Sequence, residues 1–334
     1  MALGTALLVG VLPQFADLGE VWDTITAMSF WEVSVLLVAA AWNVVTYQFV
    51  MMAALPGLKW RHAFMAGQIT TAIANTVPAG GLVGIGFTYS VLSSFGHRAA
   101  QIALAAIITG FWNIFAKLAM PMVALLLLAV NGRVNQALLT GAVVGLAVLV
   151  GAVVVFLLIV SSERLARAIG SNLERLVNSV RSMFGHHGLA GWEESFARFR
   201  WRSADLLKRR WHVLTLATAA SHISLYWVLL TALRDVGVEP TAVRWYEVLG
   251  AFAFVQLVNA LPITPGGIGL VEVGLSAGLV LAGGREPQVV AAVLVYRALT
   301  YLFQVVLGVA SYGVWRLELR VRARSEGIVQ EAEA

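Results

Sequence analysis

The stretch that decides the fold reads Asn259-Ala260-Leu261-Pro262-Ile263-Thr264-Pro265-Gly266-Gly267-Ile268-Gly269. It lies inside apolar sequence, yet it holds two prolines and three glycines. A helix in lipid must satisfy its own backbone groups, so such a break indicates backbone that lines a cavity. A similar stretch reads Asn75-Thr76-Val77-Pro78-Ala79-Gly80-Gly81-Leu82-Val83-Gly84. Paired breaks in corresponding halves of a membrane protein are typical of a transporter's substrate site. We call the stretch 75–84 the first signature and the stretch 259–269 the second signature.

The composition is that of an integral membrane protein. Of the 334 residues, 59% are apolar and only 12% are charged, and the mean hydropathy is +0.81. A soluble domain carries about 25% charged residues. The chain has no cysteine, no phosphate-binding loop of the GxxxxGK[ST] type and no HExxH motif. We therefore expect no catalytic residue, no cofactor and no metal site, and we expect no binding of nucleic acid.

Five segments are long and apolar enough to cross a bilayer, which requires about 17–25 residues. The segments around the signatures are shorter, and each pair predicts a hairpin that enters the membrane, breaks at the Pro/Gly turn and returns. Residues 1–15 lack the basic start of a secretory signal, and whether they belong to a spanning helix stays open. The predicted spans are 31–54, 99–130 (where Pro121 predicts a tilt or kink), 141–160, 211–233 and 287–315, and the hairpin arms are 62–77, 82–95, 246–261 and 267–283.

The basic residues predict the orientation. Three full spans separate the hairpins, so the hairpins would enter from opposite faces. Seventeen of the 23 Lys and Arg residues then fall on one side, including ten between Arg164 and Arg210. The opposite side holds four, while its first loop carries Asp17, Glu20 and Asp23 without a basic residue. The positive-inside rule places the 161–210 loop and the C-terminus in the cytoplasm, and we expect a multi-pass protein of the cell membrane.

The two halves also match each other in order. Each contains a span, a broken hairpin and a second span, over 31–130 and 211–316. In the leading spans, Asn43 and Tyr47 lie one helical turn apart, and so do His222 and Tyr226, which predicts that both pairs face a shared interior. We therefore predict an all-α integral membrane fold, an inverted-topology repeat with two re-entrant broken-helix hairpins. Chance similarity between two glycine-rich stretches is the alternative.

One membrane domain spans 1–334 in this interpretation. Its long loop, 161–210, repeats apolar residues at helical spacing among arginines, which is typical of a helix at a membrane surface or of an ordinary positive-inside loop. Residues 317–334 form a cytoplasmic tail, predicted to be disordered after Arg324.

Three ionisable side chains fall within the predicted membrane core: Lys117, Glu272 and Arg297. Charges there usually face a partner or a water-filled path. Glu272 follows the second break, where a helix N-terminus favours negative charge, and we predict a pair with Arg297. The pair is either a structural tie or a site in which Arg297 holds a lipid phosphate and Glu272 a cationic group or proton. Lys117 either contacts substrate or extends toward the interface.

The turns of the two hairpins supply the other candidates. Glycines at these turns let backbone amides approach an anionic headgroup, although paired small residues also serve close helix packing. The matched asparagines either satisfy freed backbone groups or contact substrate. With the three charges above, the predicted substrate-binding residues are Asn75, Pro78, Gly80, Gly81, Asn259, Pro265, Gly266, Gly267 and Tyr301.

These motifs carry a resemblance. The run Pro262-x-x-Pro265-Gly266-Gly267-Ile268-Gly269-x-x-Glu272, with Tyr296-Arg297 and Tyr301 after it, resembles the flippase-like membrane domain of lysylphosphatidylglycerol synthases. The first signature matches the same family, and the resemblance covers nearly the whole chain. It implies movement of a polar-headed lipid between leaflets, with Glu272 and Arg297 at the polar core. The soluble aminoacyl-transferase domain of bifunctional members has no counterpart before Ala334, so we do not expect that activity.

We therefore predict a flippase, not an enzyme, that moves an aminoacylated or anionic phospholipid or another polar-headed lipid. Two alternatives remain open. One is an enzyme that modifies the headgroup of a polyprenyl-phosphate or glycolipid, and the other is a membrane partner of a separately encoded lipid-modifying transferase. A homo-oligomer is compatible with either.

Overall fold

The computed structural model describes residues 18–77, 80–132, 136–162, 192–260 and 264–333, with scattered positions between 164 and 178. The predictions that concern residues 1–15, Pro78, Pro262 and most of the stretch 163–191 lie outside the described residues.

Every regular element among the described residues is helical, which confirms the all-α prediction. A 3-10 turn, Pro265–Gly267, precedes the ninth helix, and a π-helical turn, Ala298–Leu302, joins the last two. The helices are α1 Leu18–Thr26, α2 Phe30–Ala54, α3 Trp60–Thr76, α4 Gly80–Ser94, α5 Ala99–Val130, α6 Gln136–Ser161, α7 Trp192–Asp235, α8 Trp245–Val258, α9 Leu270–Leu281, α10 Glu286–Arg297 and α11 Phe303–Glu333.

Five helical stretches are long and apolar enough to cross a membrane, and they coincide with the five predicted spans. Helix α5 continues through Pro121 as one element. Helices α4, α8 and α9 have 15, 14 and 12 residues and are too short for an ordinary span, and α3, with 17 residues, is at the lower limit. The spanning stretches are Phe30–Ala54, Ala99–Val130, Thr140–Ser161, Arg200–Asp235 and Glu286–Arg324.

The helical parts of the chain extend further than the sequence predicted. The acidic first loop contains α1, because Val21 presents an apolar side chain that is 3% exposed and packs in the core beside α10. The segment 192–210 belongs to α7 instead of a loop. Helix α11 continues past Arg324 to Glu333, where the sequence predicted a disordered tail. Its last turns are rich in Glu and Ala, which favour the helix.

Helices α2 and α7 form the central contact between the halves. The Asn43 side-chain amide donates to the Ser224 hydroxyl at 2.9 Å and to the Ser221 carbonyl at 3.2 Å. The Thr46 and Ser224 hydroxyls lie 2.8 Å apart. Polar side chains join helices in this way where water cannot compete for their hydrogen bonds.

Helices α3 and α4 pack against each other on either side of the first signature. The Thr70 and Thr88 hydroxyls are 2.6 Å apart, halfway along the pair. At the far end, the His62 ring stacks on Phe95 with 3.8 Å between ring centroids. The start of α3 and the end of α4 therefore lie side by side.

Helices α8 and α9 form a second pair around the second signature. Gly283 and Gly284, just after α9, lie against Ala242 and Val243, just before α8. The start of α8 and the end of α9 therefore also lie side by side. Helix α8 also packs on α5, and α9 packs on α10.

Gly308 sets the distance between α11 and α3. A Cβ atom on this residue would collide with the Gln68 carbonyl oxygen and the Ala72 side chain, whereas a Cβ on Gly313 would meet nothing within 4 Å. We expect Gly308→Leu to cost about 3 kcal/mol, because backbone cannot move aside as a side chain does. Gly313→Leu is the matched control and should leave the unfolding temperature in detergent unchanged. Equal unfolding temperatures for both variants would contradict this packing.

Candidate functional site

The second signature folds into a tight turn that only glycine allows without strain. Gly266, Gly267 and Gly269 have φ angles of +59°, +68° and +82°, in the left-handed region that disfavours other residues. The 3-10 turn Pro265–Gly267 begins this segment, and α9 follows it at Leu270. The turn contacts α3, which carries the first signature at its end.

Glu272 lies in the first turn of α9 and is 4% exposed. Its Oε2 accepts the Gly269 backbone N–H at 2.7 Å, which caps the helix. Its Oε1 accepts the Arg297 Nε–H at 2.7 Å, between side chains that are 5% and 12% exposed. The predicted Glu272–Arg297 pair is therefore confirmed as an ion pair, and its role stays a prediction.

Arg297 links the second signature to the first. Its second terminal nitrogen donates to the Gly266 carbonyl at 2.9 Å, and its guanidinium carbon lies 4.7 Å from the centroid of the Tyr301 ring. The Tyr301 hydroxyl donates in turn to the Asn75 carbonyl at 2.9 Å. This series of contacts fixes the turn of the second signature against the end of α3.

The π-helical turn Ala298–Leu302 follows Arg297 directly. The sequence predicted an uninterrupted span there, because no Pro or Gly marks the irregularity. One extra residue in a turn changes the direction of the side chains after it, and such turns are frequent at functional sites. Here the turn carries Tyr301 to Asn75.

A polar cavity of about 220 Å³ lies beside these contacts, within the bundle of apolar helices. Its walls come from both halves of the chain. The polar side chains that line it include Asn43, Asn75, Asn113, Lys117, Asn259 and Arg297.

The structure divides the predicted substrate-binding residues into three groups. Asn75, Lys117, Asn259, Gly266 and Arg297 line the polar cavity. Their role in binding substrate stays a prediction.

A second group of the predicted residues lies next to the residues that line the cavity. Glu272 and Tyr301 hold Arg297 from either side. Gly267 is buried where a Cβ would collide with the Asn259 side chain, and Pro265 begins the 3-10 turn.

The glycines of the first signature lie elsewhere. Gly80 is buried where a Cβ would meet the backbone of Ile73 and Ala74, so it serves close packing of α4 on α3. Gly81 is exposed, with open space around it. The two signatures are thus similar in sequence but differ in what their glycines contact.

Sequence reasoning missed several residues of the cavity wall, namely Thr71, Asn113, Gln256, Thr300 and Gln304. A signal for some of them was present. Asn113 precedes Lys117 by four positions and Thr71 precedes Asn75 by four, so each shares a helix face with a residue that had been singled out. A search of the apolar helices for polar residues one turn from Asn75 and Lys117 identifies Thr71 and Asn113.

The predicted shared face of the leading spans holds for three of its four residues. Asn43, Tyr47 and His222 line the polar cavity. Tyr226 instead donates its hydroxyl to the Trp245 carbonyl at 2.7 Å and lines a separate apolar cleft. His222, one turn before Tyr226 on α7, lines both the polar cavity and this cleft, whereas Tyr226 lines the cleft and not the polar cavity.

This apolar cleft has a volume of about 640 Å³ and lies between α5, α6 and α7. Phe115, Met120 and Ile223 are among its walls, and His222 lines both the cleft and the polar cavity. The polar cavity and the apolar cleft therefore share one wall residue.

The fold and the cavity define a multi-pass integral membrane protein with a polar site inside its helical bundle. A family profile described as the lysylphosphatidylglycerol synthase TM region matches residues 1–308. The chain belongs to this family, as the signatures predicted. No curated protein is significantly similar to it.

Proposed function

We propose that the protein transports a lipid with an anionic headgroup between the leaflets of the cell membrane. The observation that carries this proposal is that a polar cavity and an apolar cleft lie next to each other and share one wall residue, His222. A molecule that fills both chambers must be polar at one end and apolar at the other. We assign transport to the site and no covalent chemistry.

The charges of the cavity favour an anion. Lys117 and Arg297 are the charged residues among its described lining. Glu272 is not among the described residues that line the cavity, and its two oxygens already accept hydrogen bonds from Arg297 and from the Gly269 N–H. A phosphate suits the donors of Arg297 that are not bonded to Glu272 or to the Gly266 carbonyl, because a guanidinium presents several donors in one plane. These contacts support an anionic headgroup over recognition of a lysyl cation by Glu272.

The apolar cleft suits the hydrocarbon part of the same lipid. Aromatic and aliphatic side chains dominate its walls, and α5 and α7 frame it along the membrane. Moving the headgroup through the polar cavity would leave the chains in apolar surroundings throughout. This arrangement avoids placing an unpaired charge in hydrocarbon, which costs several kcal/mol or more.

We further propose that the helix pairs α3–α4 and α8–α9 are re-entrant hairpins of an inverted repeat. Two observations support this. First, the start of one helix and the end of the other lie side by side in each pair. Second, the turn of the second signature contacts the end of α3 through Asn75, Gly266 and Tyr301. Interrupted helices that meet near the bilayer midplane are a recurring design for transport sites.

The basic residues support an orientation with the 161–210 segment and the C-terminus in the cytoplasm. Arg61 pairs with Glu318, and Arg322 donates to the Ser94 carbonyl, so these parts of the chain meet at one end of the bundle. That end also carries Arg98 and Arg210. The positive-inside rule assigns such an end to the cytoplasm.

A reconstituted-vesicle assay tests the proposed function. Vesicles with purified protein would carry a labelled anionic, zwitterionic or aminoacylated lipid, and the label in each leaflet would be followed with a membrane-impermeant reagent. We expect protein-dependent movement that is fastest for the anionic lipid. Absence of movement for every lipid class would refute transport.

Lys117 provides a more specific prediction. We expect Lys117→Gln to slow movement of the anionic lipid about tenfold or more, because one charge-assisted hydrogen bond to a phosphate is lost. The matched control is Lys208→Gln, which removes an exposed lysine of α7 and should leave the rate unchanged. An unchanged rate in Lys117→Gln, with the control also unchanged, would remove Lys117 from the transport site.

A further inference from the structure

A second site lies at the end of the bundle that carries the basic residues. There, three separate parts of the chain line an open pocket of about 440 Å³: the end of α2, the start of α5 and the first half of α7. We call it the basic pocket. Its charged walls are Arg98, Arg202, Asp205, Arg209 and Arg210.

The pocket has a strong excess of positive charge. Asp205 is its one acidic lining residue among those described, and its carboxylate accepts the Arg209 Nε–H at 3.1 Å. Arg98, Arg202 and Arg210 have no ion pair within the described part of the chain. Three guanidinium groups therefore converge on one concave surface without a partner anion among the described side chains.

The floor and rim of the pocket are apolar. Leu55 and Leu104 are 2% and 9% exposed and lie beneath the arginines. Trp201 stands at the rim with 69% of its surface exposed. Indole side chains at this level of a membrane protein lie among the lipid headgroups. Two of the predicted spans, 99–130 and 211–233, begin directly after Arg98 and Arg210, which also places the pocket at headgroup depth.

We propose that the basic pocket binds the phosphate-bearing headgroup of an anionic membrane lipid. The arginines would hold the phosphate, as guanidinium groups do through paired hydrogen bonds. The leucine floor would contact the glycerol and the start of the chains. A soluble phosphate would use the charges but leave the apolar floor in water. Basic pockets between membrane helices recognise anionic lipid headgroups by this combination.

An ordinary positive-inside loop would not produce this arrangement. Such a loop needs only an excess of basic residues on one side, with no particular geometry. Here Arg98 comes from a turn more than a hundred positions before Arg202 and Arg210, yet all three line one pocket. The proposal is also independent of transport, since a lipid bound here does not have to cross the membrane.

The test is a lipid titration of the full chain in neutral detergent, with bound lipid counted by native mass spectrometry. The probes are dioctanoyl phosphatidic acid, dioctanoyl phosphatidylcholine and soluble glycerol 3-phosphate. We expect saturable binding of phosphatidic acid that is at least about tenfold tighter than binding of phosphatidylcholine. The triple variant Arg98→Gln, Arg202→Gln and Arg210→Gln should bind phosphatidic acid at least about tenfold more weakly.

The matched control removes the same charge from the same end of the molecule. Arg316, Arg320 and Arg324 are exposed on α11, outside the pocket, and their triple change to Gln should leave the binding event intact. Lys117→Gln should leave it intact too, which separates this site from the polar cavity. If the pocket triple fails to fold, the single variant Arg210→Glu should show the same loss.

Three results would overturn the proposal. Equal weakening in the two triple variants would assign the binding to diffuse charge. Competition by glycerol 3-phosphate at the concentrations where the lipid binds would assign the pocket to a soluble phosphate. Absence of saturable binding of phosphatidic acid by the unaltered protein would leave the pocket without its ligand.

Discussion

Arg297→Ala should cause the largest loss of both stability and transport. Removing the guanidinium leaves the Glu272 carboxylate buried and without its partner, which typically costs about 3–5 kcal/mol. The variant also loses the bond to the Gly266 carbonyl and the contact with Tyr301. We expect a clearly lower unfolding temperature in detergent. Where the variant is held folded below that temperature, the vesicle assay should show transport slowed about 30-fold or more.

Two controls separate stability from transport. The double variant Glu272→Gln with Arg297→Gln has no buried charge, so it should regain most of the stability and still fail to transport. Arg61→Ala breaks the other described Arg–Glu pair that joins distant helices, in which the Arg61 side chain is 61% exposed. An exposed pair contributes about 1 kcal/mol or less, so this change should have little effect on either measurement. Normal transport by folded Arg297→Ala would exclude Arg297 from the site.

The main features of the fold could be predicted because the bilayer restricts what a chain can do. Apolar runs of sufficient length gave the five spans, and prolines with glycines at membrane depth marked the two breaks. The Glu272–Arg297 pair was also predictable. A buried charge needs a partner, and the membrane core offers few.

The features that could not be predicted from the sequence depend on contacts between distant segments. The π-helical turn after Arg297 has no breaker residue, and it exists because tertiary contacts such as Tyr301 with Asn75 hold it. Tyr226 shares a helix face with His222 and lines the apolar cleft with it, but its hydroxyl bonds to the Trp245 carbonyl and it does not reach the polar cavity. Periodicity finds the face of a helix, whereas the neighbours of that face decide which cavity it lines.

The position of α1 shows the same limit from the other direction. Acidic residues in a short polar stretch predicted a loop, whereas α1 docks against α10 with Val21 buried and Ile25 packed against the same core. In α11, good helix formers extended the element through a tail predicted to be disordered. Local propensity and a few apolar contacts therefore decided elements that membrane periodicity does not address.

The difference between the two signatures leads to the second large effect, which we expect for Gly266→Ala. At Gly266 the φ angle is +59°, and a left-handed alanine costs about 1–2 kcal/mol. Its Cβ would also press into the Tyr301 ring and against Asn75, where the two halves of the site meet. We expect a total loss of stability of about 2 kcal/mol or more and a large loss of transport.

Gly81→Ala is the matched control, because Gly81 occupies a glycine pair of the first signature but has open space around it and lies in the helix α4. Alanine is the better helix former, so this change should be neutral or raise stability by up to about 1 kcal/mol. Thermal unfolding and the vesicle assay on both variants measure the contrast. If the two substitutions act alike, the signatures are equivalent, and the contact of Gly266 with the end of α3 does not set the geometry of the cavity. If only Gly266→Ala fails, the second signature carries the structural constraint at the polar cavity, and Gly81 of the first signature carries none.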